Sequence, residues 1–327
     1  MKTILFFLVL GWVVPFSNNK NTPITSVSFQ LARKFIIVHA TADGKEGLFI
    51  LDTGVSDIVL NNRYFDGQKT GEKFFGISGI EMEEEIEFIK FNIGGFEKKT
   101  VAKVTNFQSL EKFTGLKLLG VIGNDVFNNC ELVLDYTFKE LTIYQLDKNG
   151  NPKSSKYIHQ QPQDTLSFYL ARGVPYVEVN SNGHLLKMIV DSGATANVMD
   201  ANKIAQLNSS SIQVREGSMA GFGPKAVPTK FQIIDNLIVG KLSCPPMNTI
   251  FLNLDHLNQS QSRKRVDGVL GYEFLSNFRV GINFRKKEIY LWDRESVEMQ
   301  WAIANKNWKT NEGEKSDWGG ELHFVDY

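Results

Sequence analysis

Cysteine and proline are scarce in this sequence, and neither sign of charge is in excess. Its two cysteines, Cys130 and Cys244, lack metal-ligand spacing and are too few for a disulfide framework. We interpret each as a small buried apolar residue, with a single disulfide between them as the alternative. Lysine plus arginine and aspartate plus glutamate balance at 36 each, so charge gives no reason to expect nucleic acid or an anionic membrane as a partner.

Long apolar runs are absent after the N-terminus. There, Lys2 precedes an apolar run at residues 4–14 and a turn-like exit at 15–19, a pattern typical of an export signal. The run is shorter than the roughly 20 residues of a membrane-spanning helix, although an uncleaved anchor is the alternative. We therefore predict a signal peptide at residues 1–19 and an exported protein, periplasmic or extracellular, with no stable membrane span.

Several catalytic motifs are missing as well. The five histidines are scattered with no His-Glu-x-x-His, and the sequence has no Gly-x-Ser-x-Gly elbow and no Walker loop. The sequence therefore carries no recognisable motif for a metal protease, a serine nucleophile or a nucleotide.

What the sequence does contain is one short stretch that occurs twice. Residues 49–54 (FILDTG) and 188–193 (MIVDSG) are apolar runs that end in Asp, a hydroxyl residue and Gly, and they lie 139 residues apart. Each follows a hairpin pattern, with turn signals at Asp43-Gly44 and Asn182-Gly183. A strand that stops at an acid and turns on a glycine places a carboxylate at a loop tip, so two copies predict two facing carboxylates.

A second pair of stretches repeats further along the chain. Residues 120–123 (GVIG) and 268–271 (GVLG) are each followed by the pattern of a short helix and a hairpin. Such a long-period duplication implies two related lobes, and alternating segments between the landmarks predict half-buried strands at 85–93, 100–104, 229–239 and 247–252. The predicted divisions are lobes at 26–148 and 165–295, a polar linker at 149–164, and a polar tail without an assigned role at 296–327.

Two carboxyl groups that share one proton can hydrolyse a peptide bond without a metal or a covalent nucleophile. The ionised group takes a proton from water while the protonated group hydrogen-bonds the substrate carbonyl, and two like charges about 3 Å apart cannot both be ionised. Asp52 and Asp191 are the candidate pair. The residues expected to support them are Thr53 and Ser192, whose hydroxyls can bond across to the opposite loop, and Gly54 and Gly193, whose N–H groups can bond the carboxylates.

With these motifs the sequence resembles the two-lobed aspartic proteases of the retropepsin/pepsin clan over roughly residues 30–293. More closely, it resembles the bacterial aspartyl-protease-like proteins in which two retropepsin-type units are fused in one chain. The resemblance implies a mostly-β fold of two pseudo-symmetric retropepsin-like β-barrel lobes with a cleft between them. It also implies that the strands at 121–123 and 269–271 pass beside the Asp loops.

The sequence departs from the family in two places. Val55 stands where the family usually has Ala or Ser, and no tyrosine lies between Tyr64 and Tyr136 to act as a pepsin-type flap tyrosine. Glycine-rich segments at 75–80 and 220–224 predict one flap per lobe, with a plain hairpin turn as the alternative for each. The candidate flap residues are Gly76, Ser78, Gly79, Gly221 and Gly223.

We therefore predict an aspartic endopeptidase that hydrolyses a polypeptide substrate with water activated between Asp52 and Asp191, with no cofactor and no metal. Because the repeat supplies both half-sites, we predict a monomer. The alternatives are a non-catalytic peptide- or protein-binding module on the same fold, and a dedicated processing protease with one protein substrate.

Overall fold

The computed structural model describes residues 23–75, 81–154, 161–171, 173–207, 215–219, 227–255 and 265–294, and strands dominate these residues. The first half contains eleven strands, helix α1 (Gln108–Thr114) and a 3₁₀ helix at Asn124–Phe127. The strands are β1 (Ile24–Ser28), β2 (Gln30–Ala32), β3 (Phe35–Ala42), β4 (Lys45–Leu51), β5 (Ile58–Asn61), β6 (Gln68–Phe75), β7 (Glu81–Ile93), β8 (Phe96–Thr105), β9 (Leu118–Ile122), β10 (Cys130–Asp135) and β11 (Glu140–Gln145).

The second half repeats this order of elements only in part. Its short helices are a 3₁₀ helix at Ala201–Lys203, α2 (Ile204–Leu207) and α3 (Tyr272–Leu275). Across the described ranges, no helix is both long enough and apolar enough to cross a bilayer. The strands are β12 (Asp164–Ser167), β13 (Tyr169–Ala171), β14 (Val174–Ser181), β15 (His184–Val190), β16 (Asn197–Asp200), β17 (Arg215–Met219), β18 (Val227–Ile234), β19 (Leu237–Val239), β20 (Leu242–Ser243), β21 (Met247–Leu252), β22 (Gly268–Leu270), β23 (Phe278–Asn283) and β24 (Glu288–Asp293).

Each half forms a sheet that curls back on itself. The first sheet has the order β2-β3-β4-β9-β5-β8-β7-β6 and closes where β3 pairs with β7, at Thr41 and Asn92. The second has the order β17-β18-β21-β16-β22-β15-β14-β19-β20, with β13 also on β14. It curls because β19, which follows β18 in the chain, pairs with β14, at Asn180 and Ile238. These barrel-like sheets confirm the mostly-β fold class.

The duplication is visible in the strand register. In the first half, β9 lies between β4 and β5, and Val121 pairs with Ile50 in parallel and with Val59 in antiparallel fashion. In the second half, Val269 of β22 takes the same place between β15 and β16. The strand that leads into each Asp therefore lies beside the strand of the repeated stretch at 120–123 or 268–271, as the family resemblance implied.

The hairpins that lead into the two Asp loops are built alike. Asp43 and Gly44 have φ of 46° and 78°, and Asn182 and Gly183 have φ of 52° and 79°. Two consecutive residues with positive φ form the turn that matches the right-handed twist of the flanking strands, and Asn, Asp and Gly adopt it most readily. Both predicted hairpin turns are confirmed.

A third sheet joins the two halves. Its order is β1-β11-β10-β23-β24-β12, and at its centre β10 pairs with β23, with Leu132 opposite Ile282. The predicted domain boundaries stay a prediction. Asp164, the last residue of the predicted linker, is the first residue of β12 in this sheet. The predicted signal at 1–19 and tail at 296–327 lie outside the described residues.

One predicted strand was too long. The segment 229–239 falls in β18 and β19, which are separated by Asp235 and Asn236. The Asn236 Oδ1 accepts a hydrogen bond from Ser181 Oγ (O–O distance 2.9 Å). A hydrogen bond between side chains is therefore found at the break between β18 and β19. The other three predicted strands lie within β7, β8 and β21.

Both cysteines are buried and free, which confirms their interpretation as small core residues rather than a disulfide. Burial raises the pKa of the Cys130 thiol to about 12 and that of Cys244 to about 11. Because the thiolate is the reactive form, the native thiols should be inert.

We expect an aromatic disulfide reagent at pH 8 to modify Cys130 and Cys244 at least about 100-fold more slowly in the native protein than in guanidinium. Reaction is followed by absorbance and by mass. Rapid modification of either thiol without denaturant would contradict their burial.

Candidate active site

Asp52 and Asp191 occupy equivalent positions just after β4 and β15. The N–H of Asp52 donates to the carbonyl oxygen of Ile122, and that of Asp191 to the carbonyl oxygen of Leu270 (both N–O distances 3.0 Å). Each aspartate is thus fixed to its own half by the last residue of β9 or β22. The local fold follows from the sequence, because the apolar run forms a buried strand and the acid follows where the strand ends.

Thr53 and Ser192 hold the two loops to each other. The N–H of Thr53 donates to Ser192 Oγ (3.1 Å), and the N–H of Ser192 donates to Thr53 Oγ1 (2.9 Å). Each hydroxyl then donates across the interface, Thr53 Oγ1 to the carbonyl oxygen of Val190 (2.8 Å) and Ser192 Oγ to that of Leu51 (2.9 Å). In this exchange of four buried hydrogen bonds, each hydroxyl accepts from the N–H of the opposite loop and donates to a carbonyl oxygen of the opposite half.

Gly54 and Gly193 bring the two carboxyl groups close together. The N–H of each donates to Oδ1 of the aspartate of its own loop, with N–O distances of 2.8 Å for Gly54 and 2.7 Å for Gly193. A Cβ on Gly54 would lie 2.3 Å from Cγ of Asp191, and one on Gly193 would lie 2.2 Å from Cγ of Asp52. Each glycine therefore supports one carboxyl group and leaves space for the other.

The electrostatics of the pair follow from burial and proximity. Burial raises the pKa of both carboxyl groups, and the charge of Asp191 further raises the pKa of Asp52, well above its usual range. The N–H of Gly54 lowers the pKa of both. A pair in this environment retains one proton and titrates as a unit.

Two tyrosines beside the pair were missed in the sequence. The rings of Tyr136 and Tyr272 meet edge to face, with centroids 5.8 Å apart. Burial raises the pKa of Tyr136, and the neighbouring Tyr272 and Asp191 raise it further, so its phenol stays neutral. Because Tyr272 directly follows the repeated stretch at 268–271, its place beside the site could have been predicted from the sequence. Tyr136 belongs to no motif, so its place could not.

Val55, the departure from the family pattern, has a packing role. Its half-buried side chain packs against an outer cluster that includes Ile50 and Val121, and Ala194 packs in the corresponding cluster of the second half. The larger residue is accommodated outside the carboxyl pair.

The candidate flap residues Gly76, Ser78, Gly79, Gly221 and Gly223 lie outside the described residues. The strands on either side of them are described. Phe75 of β6 pairs with Glu81 of β7, and Met219 of β17 pairs with Val227 of β18. Each segment therefore connects two antiparallel strands, one pair in each half.

Part of the chain matches a known protein family. Residues 177–274 match the model of a family described as aspartyl protease. The matched region includes the Asp191 loop and the 268–271 stretch, whereas the Asp52 loop lies before it. No curated protein matches the chain.

We expect Thr53→Val to lower the free energy of unfolding by about 2–4 kcal/mol, because it leaves the N–H of Ser192 and the carbonyl oxygen of Val190 buried without partners. Urea denaturation measures the change. The matched control is Thr249→Val, since Thr249 is also buried but its hydroxyl makes one long bond to the Met247 carbonyl oxygen (3.4 Å). It should cost less than about 1 kcal/mol, and equal losses would refute the special role of the exchange.

Proposed function

We propose that this chain is a two-lobed aspartic endopeptidase in which Asp52 and Asp191 are the catalytic residues. The observation that carries the proposal is the close approach of the two carboxyl groups, each held by the glycine of its own loop and each at the same place in a duplicated fold. The family match over the second copy supports it. The fused pair of retropepsin-type units known from bacterial proteins is the arrangement we propose for the whole chain.

The proposed reaction uses one shared proton. The ionised carboxylate removes a proton from a water molecule, whose oxygen attacks the peptide carbonyl carbon, while the protonated carboxyl group gives its proton to the carbonyl oxygen. Collapse of the tetrahedral intermediate breaks the C–N bond: the leaving nitrogen takes the proton of the pair, and one hydroxyl of the intermediate returns a proton to the pair as it becomes the acid's carbonyl. The products are a carboxylic acid and an amine, and the pair again holds one proton.

The proposed substrate is a polypeptide in extended conformation. β6 and β17 are terminal strands of their sheets, and each leads toward a candidate flap segment. An extended peptide can pair with backbone of this kind while alternate side chains enter pockets. We also propose, from the sequence alone, that the protein is exported and acts as a monomer.

We expect wild-type protein to cleave peptides from a mixed library between acid and neutral pH, with a profile that reports the two apparent pKa values of the pair. Asp52→Asn and Asp191→Asn should each lower kcat/KM by at least about 10²–10⁴-fold, because each removes one half of the acid–base pair.

The control variant is Asp147→Asn. Asp147 caps an exposed turn by accepting from the N–H groups of Asn149 and Asn151, which an asparagine oxygen does equally well. Cleavage that survives in either active-site variant would refute the mechanism. No cleavage by wild type at any pH would favour a binding module or a protease with one dedicated substrate.

A further inference from the structure

Asn124 is a buried residue with a hydrogen bond that joins it to the Asp52 loop. It begins the 3₁₀ helix after Gly123 and is 1% exposed. Its Nδ2 donates to the carbonyl oxygen of Thr53 (N–O distance 2.6 Å). A carbonyl oxygen can only accept, so the amide nitrogen must face it. The Oδ1 of Asn124 is buried and has no hydrogen-bond partner among the described residues.

The bond from Asn124 falls on a peptide group that serves the carboxyl pair. The carbonyl of Thr53 and the N–H of Gly54 belong to one peptide unit, and that N–H donates to Asp52 Oδ1. A hydrogen bond to the carbonyl end of an amide polarises its N–H end, so consecutive bonds strengthen one another. The side-chain amide, the peptide group and the carboxylate therefore form one chain of hydrogen bonds.

The second half is built differently at this point. Tyr272 stands at the position equivalent to Asn124, and its ring contacts Tyr136. The second half does have a buried asparagine, Asn197, but its Oδ1 accepts from the N–H of Gly271 (2.9 Å). Within the described part of the chain, no side chain donates to the carbonyl of Ser192, so the peptide that holds Asp191 lacks this support.

We propose that Asn124 is a positioning residue that orients and polarises the Thr53–Gly54 peptide, and so stabilises the ionised form of the carboxyl pair from one side only. Its significance for catalysis rests on the proposed function. A buried carboxamide with an unpaired oxygen is unfavourable for stability, which favours a role in the site over a role in packing. The N–H of Gly54 lowers the pKa of both aspartates, so its polarisation acts on the pair as a whole.

The other charges near this chain of bonds do not depend on Asn124. Asp191 faces Asp52 from the opposite loop. On the outer side, the charge of Asp57 acts on Asp125, and two lysines balance these acids. The charged groups on that side are Asp57, Asp125, Lys98 and Lys103. A neutral replacement of Asn124 leaves all of them in place, so a change in the titration of the pair reports the lost amide.

The variants for the test are Asn124→Ala and Asn124→Leu, the second of which keeps most of the side-chain volume if the first does not fold. Asn61→Ala is the matched control, because it removes a buried asparagine whose Nδ2 also donates to a backbone carbonyl oxygen, that of Leu118 (N–O distance 2.8 Å), which lies outside the hydrogen bonds of the carboxyl pair. Carbon-13 NMR of labelled aspartate carboxyls measures the lower apparent pKa of the pair, and the amide resonance of Gly54 reports its polarisation. The acid limb of kcat/KM is the kinetic readout.

Weakening a bond to the charged form raises the pKa of an acid. We expect the lower apparent pKa and the acid limb to move up by about 0.5 pH unit in both Asn124 variants, with the Gly54 amide proton moving upfield, and no such change in Asn61→Ala. Titration within about 0.1 pH unit of wild type in both Asn124 variants, or an equal change in Asn61→Ala, would overturn the inference. If the NMR changes appear but wild type cleaves nothing, the inference stands and the proposed function fails.

Discussion

Two acidic side chains that would repel each other are held in contact by hydroxyl groups exchanged between two loops. Thr53 and Ser192 each donate a backbone N–H to the other's hydroxyl, and each hydroxyl in turn donates to a carbonyl oxygen of the opposite half. The exchange requires a hydroxyl directly after each aspartate and a glycine directly after that. It also requires two halves that present the loops face to face, which the shared sheet through β10 and β23 provides. The hydrogen bonds offset the repulsion that the carboxyl groups add.

The contact determines the behaviour of the proton. Burial alone disfavours ionisation of Asp52 and Asp191, and proximity prevents both from ionising at once. The N–H groups of Gly54 and Gly193 act in the opposite direction by stabilising negative charge. A pair under these opposing influences keeps one acid and one base a few ångströms apart, which is what addition of water to a peptide carbonyl needs. The bond from Asn124 gives one side of the pair a support that the other lacks.

Features that depend on local residue types were predictable from the sequence. The paired Asp-hydroxyl-Gly stretches, the turns at Asp43-Gly44 and Asn182-Gly183, and the mostly-β fold follow from periodicity and duplication. Features that depend on which distant strands meet were not predictable. The approach of Tyr136 to Asp191 and the break between β18 and β19 arise from contacts between segments far apart in the chain. Asn124 and Tyr272 occupy equivalent repeat positions, but only the structure shows that they act differently.

The measurement that tests the buried pair most directly is thermal unfolding of wild type and Asp52→Asn across pH. A carboxyl whose folded pKa is raised adds no cost below the unfolded value of about 3.9, and its cost grows as pH rises from there toward the folded pKa. Removing one carboxyl removes that cost. The variant should therefore unfold at about the same temperature as wild type near pH 3 and at a clearly higher one at pH 7, by about 2–4 °C for each kcal/mol recovered. A variant no more stable than wild type at pH 7 would contradict two buried carboxyls in contact.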